Sequence, residues 1–304
     1  MRFRIAVIAL AVGTSLTLTG CTPEVPNAAV GGIANRSDLS KLASGFDPGF
    51  IVSDQQFYDD HALSVDGVQS FLDRVRCTPV DDAPCLSDLR LDIPAIAAET
   101  STPGHCAGIA AKTGARAAEL IVAVARACGV SPKLLLVLMQ KEQSLLTRPS
   151  RTGYERATGY GCPDTADCER RYFGIVNQLV NAAWQFRQYT VQPKRKYQVG
   201  TVEVPFHPNS ACGSAAVTIR NQATANLYNY TPYQPNEAAL RGPSGEGDGC
   251  SSWGNLNVWL LWNVWFGNPV AEPFPGYLSP CVTHQNGIRC PGTDPAFLFG
   301  GTSP

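Results

Sequence analysis

Residues Ser131–Leu146 read SPKLLLVLMQKEQSLL, and this stretch constrains the fold more than any other. Ser131 suits a helix N-cap, and Pro132 suits the first helical position, where a missing N–H costs nothing. No glycine or β-branched cluster follows, so the spacing predicts a helix of about four turns. Counted by threes and fours, Glu142 shares a face with Leu135, Leu138, Met139, Leu145 and Leu146. Lys133, Gln140, Lys141 and Ser144 fall largely on the other side. The carboxylate therefore lies in the apolar stripe. Burial disfavours an ionised carboxylate, which is the condition a general acid needs. The competing reading is an edge carboxylate paired with Arg126 or Arg148.

The rest of the chain supplies the setting. Met1–Arg4 is a basic n-region, and Ile5–Leu18 is an apolar run too short to span a membrane as a mature helix. Residues 1–20 are thus a signal peptide and the mature chain is extracytoplasmic. Of eleven cysteines, ten remain once Cys21 is set aside, an even number in an exported chain. Spacing makes five local pairs plausible: Cys77–Cys85, Cys106–Cys128, Cys162–Cys168, Cys212–Cys250 and Cys281–Cys290. None forms a CxxC pattern and the four histidines are scattered, so no metal and no cofactor is expected. A net charge of −1 with no basic run excludes an electrostatic case for nucleic acid.

Residues 21–49, rich in Pro, Gly, Asn, Ser and Ala, read as a flexible tether. Residues 50–268 are long enough for one cored domain, and 269–304 read as a Pro/Gly-rich tail with a disulfide loop. Periodicity predicts helices over Ser64–Phe71, Gly114–Ala127, Tyr172–Tyr189, Asn221–Tyr228 and Ser252–Phe266. Arg151–Gly161 reads as loop. Alternation over Gln198–Phe206 and Ala216–Arg220 predicts an antiparallel hairpin wing. The fold class is α+β, predominantly α and disulfide-stapled.

Asp164 and Asp167, in the loop between Cys162 and Cys168, are weak candidates for a second carboxylate, with tight-turn chemistry as the alternative. Tyr160, Tyr228, Tyr230 and Tyr233 could stack on sugar rings, although Tyr and Trp also serve as core. For Trp259, Trp262 and Trp265 a core role is preferred. Asn177 and Gln178 could bond ligand amides or hydroxyls, or could act as helix-packing amides.

Leu18–Thr19–Gly20–Cys21 resembles the lipobox of bacterial lipoproteins, which implies acylation of Cys21 and a lipid anchor in the cell membrane. The words GVSPKLLLVLMQKEQSLL, ATGYGCPDTADC, YFGIVNQLVNAAWQFRQY and CSSWGNLNVWLLWNVWFG resemble a group of secreted actinobacterial proteins, sometimes labelled hemagglutinin-like. The turn Gly129–Val130–Ser131–Pro132, followed by a helix that ends in Glu142–Gln143–Ser144, is similar to the catalytic hairpin of lysozyme-like lytic transglycosylases. Those enzymes need one carboxylate, so the resemblance implies Glu142 as the acid of a lysozyme-like domain acting on cell-wall glycan, peptidoglycan first. Here one extra residue separates Glu from Ser. The family's Gly–Leu–Met–Gln word has only stand-ins, at Gly159–Gly161 and Gly174–Gln178. The other readings are a catalytically inactive glycan-binding or adhesion lipoprotein and a structural envelope protein. Oligomeric state is not readable.

Overall fold

The computed structural model describes residues 34–99, 106–163, 166–192 and 195–272. Within them the helices are α1 (Arg36–Ala43), α2 (Asp54–Tyr58), α3 (Val65–Arg74), α4 (Ala117–Cys128), α5 (Pro132–Gln143), α6 (Arg151–Glu155), α7 (Ile175–Val191), α8 (Gln222–Tyr230), α9 (Glu237–Arg241) and α10 (Gly254–Phe266). Two small antiparallel hairpins complete the α+β architecture: β1 (Arg90–Ile93) with β2 (Lys112–Arg116), and β3 (Gly200–Pro205) with β4 (Ser214–Ile219).

Helix α5 is the axis of the molecule. Ser131 caps it by accepting the N–H of Lys133 at 3.3 Å, and Pro132 opens it. Leu134, Leu135, Leu136, Val137, Leu138 and Met139 are all buried, so α5 is apolar all round and needs neighbours on every side. It packs against α4 and α10, and α4 in turn packs against α3 and α7. Each fully buried Leu or Val contributes about 1.5–3 kcal/mol relative to exposure. Gly129, at φ 62°, makes the left-handed turn between α4 and α5, which are bent by 117° at that break. Among the described residues no single helix is long and apolar enough to cross a membrane. Trp262 is fully buried and Trp259 nearly so, as the core reading required, while Trp265 is only partly buried against the core.

Helix α5 stops one turn before its predicted end. Ser144 adopts φ 52° and sends its N–H back to Met139 and Gln140. Ser144 is therefore a left-handed cap, a conformation that costs a side-chain-bearing residue about 1–2 kcal/mol and glycine nothing. Ser144→Gly is expected to raise stability by roughly 0.5–1 kcal/mol in urea melts while leaving every ligand-binding property unchanged. A drop in stability would show that the Ser144 hydroxyl carries a contact of its own.

Several boundaries differ from the sequence reading: α2 and α9 were not expected, and α7 starts at Ile175 rather than Tyr172. The segment assigned to a tether carries α1, with Leu39 and Ala43 buried and Phe46 edge-on to Trp259 at 6.2 Å, so the folded body begins well before residue 50. Apolar residues hidden among Asn, Ser and Gly gave too weak a period to detect. Gly114–Arg116 lie in β2 rather than in the helix that follows, which Glu119 instead starts by accepting the Arg116 N–H at 2.8 Å. The β1–β2 hairpin was missed because RLDI alternates over only four residues, KTGAR does not alternate, and the register shifts between Leu91 and Ile93. The stretch after Pro149 contains α6, capped by Ser150.

The β3–β4 wing has the expected place and pairing, from Gly200 opposite Ile219 to Pro205 opposite Ser214. Gln234 fastens it to the body: its Nε2 donates to Val204 O at 2.8 Å and to Ala215 O at 3.0 Å. Disulfides join Cys77–Cys85, Cys106–Cys128, Cys162–Cys168 and Cys212–Cys250. The predicted Cys281–Cys290 pair and the C-terminal tail lie outside the described residues, as do the signal segment and Cys21.

Asp54, at the start of α2, accepts the Ala223 N–H at 2.8 Å and the Asn221 amide at 3.0 Å. Burial outweighs both bonds and raises its carboxyl above the ordinary carboxylate range. A carboxyl raised on folding binds more protons folded than unfolded, so this group disfavours folding as pH climbs from the ordinary value through the raised one. Asp54→Asn keeps an acceptor and removes that penalty. Its melting temperature, measured against the parent, is expected to improve between pH 4 and pH 7; a constant difference would contradict the assignment.

Candidate active site

The Glu142 carboxylate opens into a cleft of about 740 Å³. Its floor is the C-terminal end of α5, and its walls are the Gly159 turn, the segment from Asn229 to Tyr233, the wing turn at His207, and the start of α10 with Trp253. Among the described lining residues Glu142 is the sole carboxylate. Its side chain is 23% exposed, and its nearest partner is the ammonium of Lys141, itself only 6% exposed. Lys141 Nζ also donates to Thr231 Oγ1 at 3.0 Å.

This corrects the sequence reading of Glu142 in one respect. The position in the core-facing stripe holds, but the charge is compensated, and by neither Arg126 nor Arg148. Helical spacing put Lys141 on the far side. Its four-carbon stem instead runs back along the floor, with Cε lying 3.9 Å from where a Cβ on Gly254 would sit.

The opposite side of the carboxylate is backbone. Gly159 has φ 71°, and a Cβ built there would meet Glu142 Oε2 at 3.0 Å. Both the backbone angle and the close approach call for glycine. Gly159→Ala is therefore expected to cost about 1–2 kcal/mol in strain and to shift the carboxylate. Where Glu142 acts on a ligand, a displacement of this kind costs up to about 100-fold in rate. Equal rates in the two proteins would mean the carboxylate position is not critical.

Gln178 holds that turn in place from beneath. It is fully buried; its Oε1 accepts the N–H of Thr158 at 3.1 Å and of Tyr160 at 3.2 Å, and its Nε2 donates to Tyr160 O at 2.9 Å and Tyr172 O at 2.8 Å. With every lone pair and proton engaged, Gln178 positions the wall and does not touch a ligand. Asn177 is exposed and bonded to Phe173 O, outside the cleft.

The four tyrosines separate. Tyr233 and Tyr230 line the cleft. Tyr230 stacks on Phe186 at 4.8 Å and donates to Thr158 O at 2.8 Å; burial first, and the Glu142 charge second, push its hydroxyl well above the usual range. Tyr228 is core, its hydroxyl spent on Pro48 O at 3.0 Å and pushed upward by burial. Tyr160 does not line the cleft; it meets Tyr172 edge-on at 4.8 Å, and burial pushes its hydroxyl up to about 12. Asp167 is exposed and does not line the cleft, although its disulfide loop borders it through Cys162 and Pro163. Asp164 lies outside the described residues.

No family model, no curated protein and no solved structure matches this chain. The site must therefore be read from its own chemistry. The cleft joins one carboxylate to aromatic faces at Tyr230, Tyr233 and Trp253, and to the Ser252 hydroxyl. That mixture suits a polyhydroxylated ligand, whose rings offer apolar faces and whose edges offer hydrogen bonds. Thr231, His207 and Trp253 were missed, because only tertiary structure brings them into the cleft; Lys141 adjoins Glu142 in sequence, but helical phase placed it on the far side. Among groups of His, Cys, Asp and Glu in the described residues none could hold a metal ion.

Proposed function

We propose that this protein is an extracytoplasmic enzyme that cleaves a cell-wall glycan, peptidoglycan first, with Glu142 as proton donor to the glycosidic oxygen. The observation that carries this reading is a single carboxylate at the floor of an open, aromatic-lined cleft, on a helix with the hairpin entry that resembles lysozyme-like lytic transglycosylases. One carboxylate suffices where the sugar's own groups complete the reaction. A lysozyme-like fold is part of the proposal, and so is anchoring through lipid on Cys21. The four disulfides support an oxidising compartment outside the cytoplasm.

A second reading has an observation of its own. The Glu142 carboxylate is engaged by the largely buried Lys141 ammonium, so proton transfer to a glycosidic oxygen requires that pair to open. Unless a bound glycan draws Lys141 away, the cleft binds sugar without turnover, as in a glycan-binding envelope lipoprotein. Soluble protein lacking residues before Cys21, incubated with purified sacculi, separates the two. Release of soluble muropeptides supports the enzyme, and sedimentation with sacculi without release supports the binder.

A further inference from the structure

The wing contributes one polar hydrogen to the cleft that the protein itself leaves unused. His207 lies in the turn between β3 and β4 and lines the cleft on a wall separate from Glu142. Its Nδ1 accepts the backbone N–H of Asn209 at 3.1 Å. A ring nitrogen that accepts carries no proton, so the neutral imidazole bears its hydrogen on Nε2. That N–H has no partner among the described residues. The Lys141 ammonium is committed to Glu142 and Thr231, the Tyr230 hydroxyl to Thr158 O, and the Trp253 indole N–H to Gly242 O.

The turn that carries the imidazole is also braced. Asn209 Oδ1 accepts the Ala211 N–H at 3.1 Å, its carbonyl accepts the Cys212 N–H at 3.0 Å, and Phe206 N–H donates to Gly213 O at 3.1 Å. The Cys212–Cys250 disulfide then ties this turn to the segment that brings Ser252 and Trp253 to the same cleft. A fixed donor beside ring-stacking surfaces discriminates between sugars by what they offer it, because an analogue lacking the acceptor leaves the N–H desolvated and unpaired.

We propose that His207 is a specificity-determining residue, whose Nε2–H donates to the carbonyl of an acylamino substituent on the bound sugar. This deepens the glycan reading and rests on it. The experiment uses chitotetraose, which carries acetamido groups, and cellotetraose, which has the same linkage with hydroxyls in their place. Long-range ¹⁵N–¹H spectra of the free protein should first show His207 with its proton on Nε2. His207→Phe keeps a ring of similar size without the donor, and is expected to weaken chitotetraose about 10-fold while leaving cellotetraose unchanged. His207→Gln, which restores an N–H, should recover most of the loss. An Nδ1–H form, an equal effect on both sugars, or no effect of His207→Phe on chitotetraose would overturn the assignment and leave the glycan reading standing. If the parent protein binds neither sugar, this assignment falls, while the glycan reading stands or falls on the sacculi.

Discussion

Glu142→Gln is expected to abolish release of soluble glycan from sacculi, by about 100- to 10,000-fold, with sedimentation onto sacculi preserved. The amide matches the carboxylate in shape and still offers Oε1 to Lys141, so the cleft keeps its geometry. The proton is what disappears. Stability should fall by about 1–2 kcal/mol: the amide keeps the ammonium's hydrogen bond, but Lys141, only 6% exposed, loses its counter-charge. An uncompensated carboxylate would instead give a stabilised Gln variant, so the melting curve also reports on the ion pair. If the variant releases glycan at the parent rate, Glu142 is not the acid.

Gln178→Ala should give the largest loss of stability of any change near the cleft. The substitution strips partners from the N–H groups of Thr158 and Tyr160 and the carbonyls of Tyr160 and Tyr172, in a site closed to water. Each buried group left unpaired costs about 1–3 kcal/mol, and partial relaxation brings the net to roughly 3 kcal/mol. For a domain of this size that is about 6–12 °C in melting temperature. Because the same bonds fix Gly159 against the Glu142 carboxylate, any turnover should fall even in protein that remains folded. A variant melting within 2 °C of the parent, or so, would show that the turn is held by something else.

Much of the scaffold was legible because its signals are local. Ser131 and Pro132 at the head of an unbroken apolar run specify α5, Gly129 specifies the turn before it, and alternation specifies the β3–β4 wing. The four described disulfides join consecutive cysteines, the pairing that spacing made plausible without fixing it. Helix α1 and the β1–β2 hairpin were not legible, since their stability comes from docking against distant partners such as Trp259 rather than from their own pattern. In the site, Glu142, Tyr230 and Tyr233 were found by residue type and position. Gln178 was singled out for the wrong reason: amide chemistry suggests a ligand contact, while the fold uses every atom of it on backbone. Lys141 shows the limit most clearly, because helical phase describes where a side chain starts and not where a long one ends.

The most direct measurement is mass spectrometry of the soluble material released from purified sacculi by the parent protein and by Glu142→Gln. The account predicts fragments of whole disaccharide units, ending either in a free reducing sugar or in a 1,6-anhydro sugar, with none from the variant. Sacculi that bind the protein yet release no fragment, or fragments that appear equally with the variant, would contradict it.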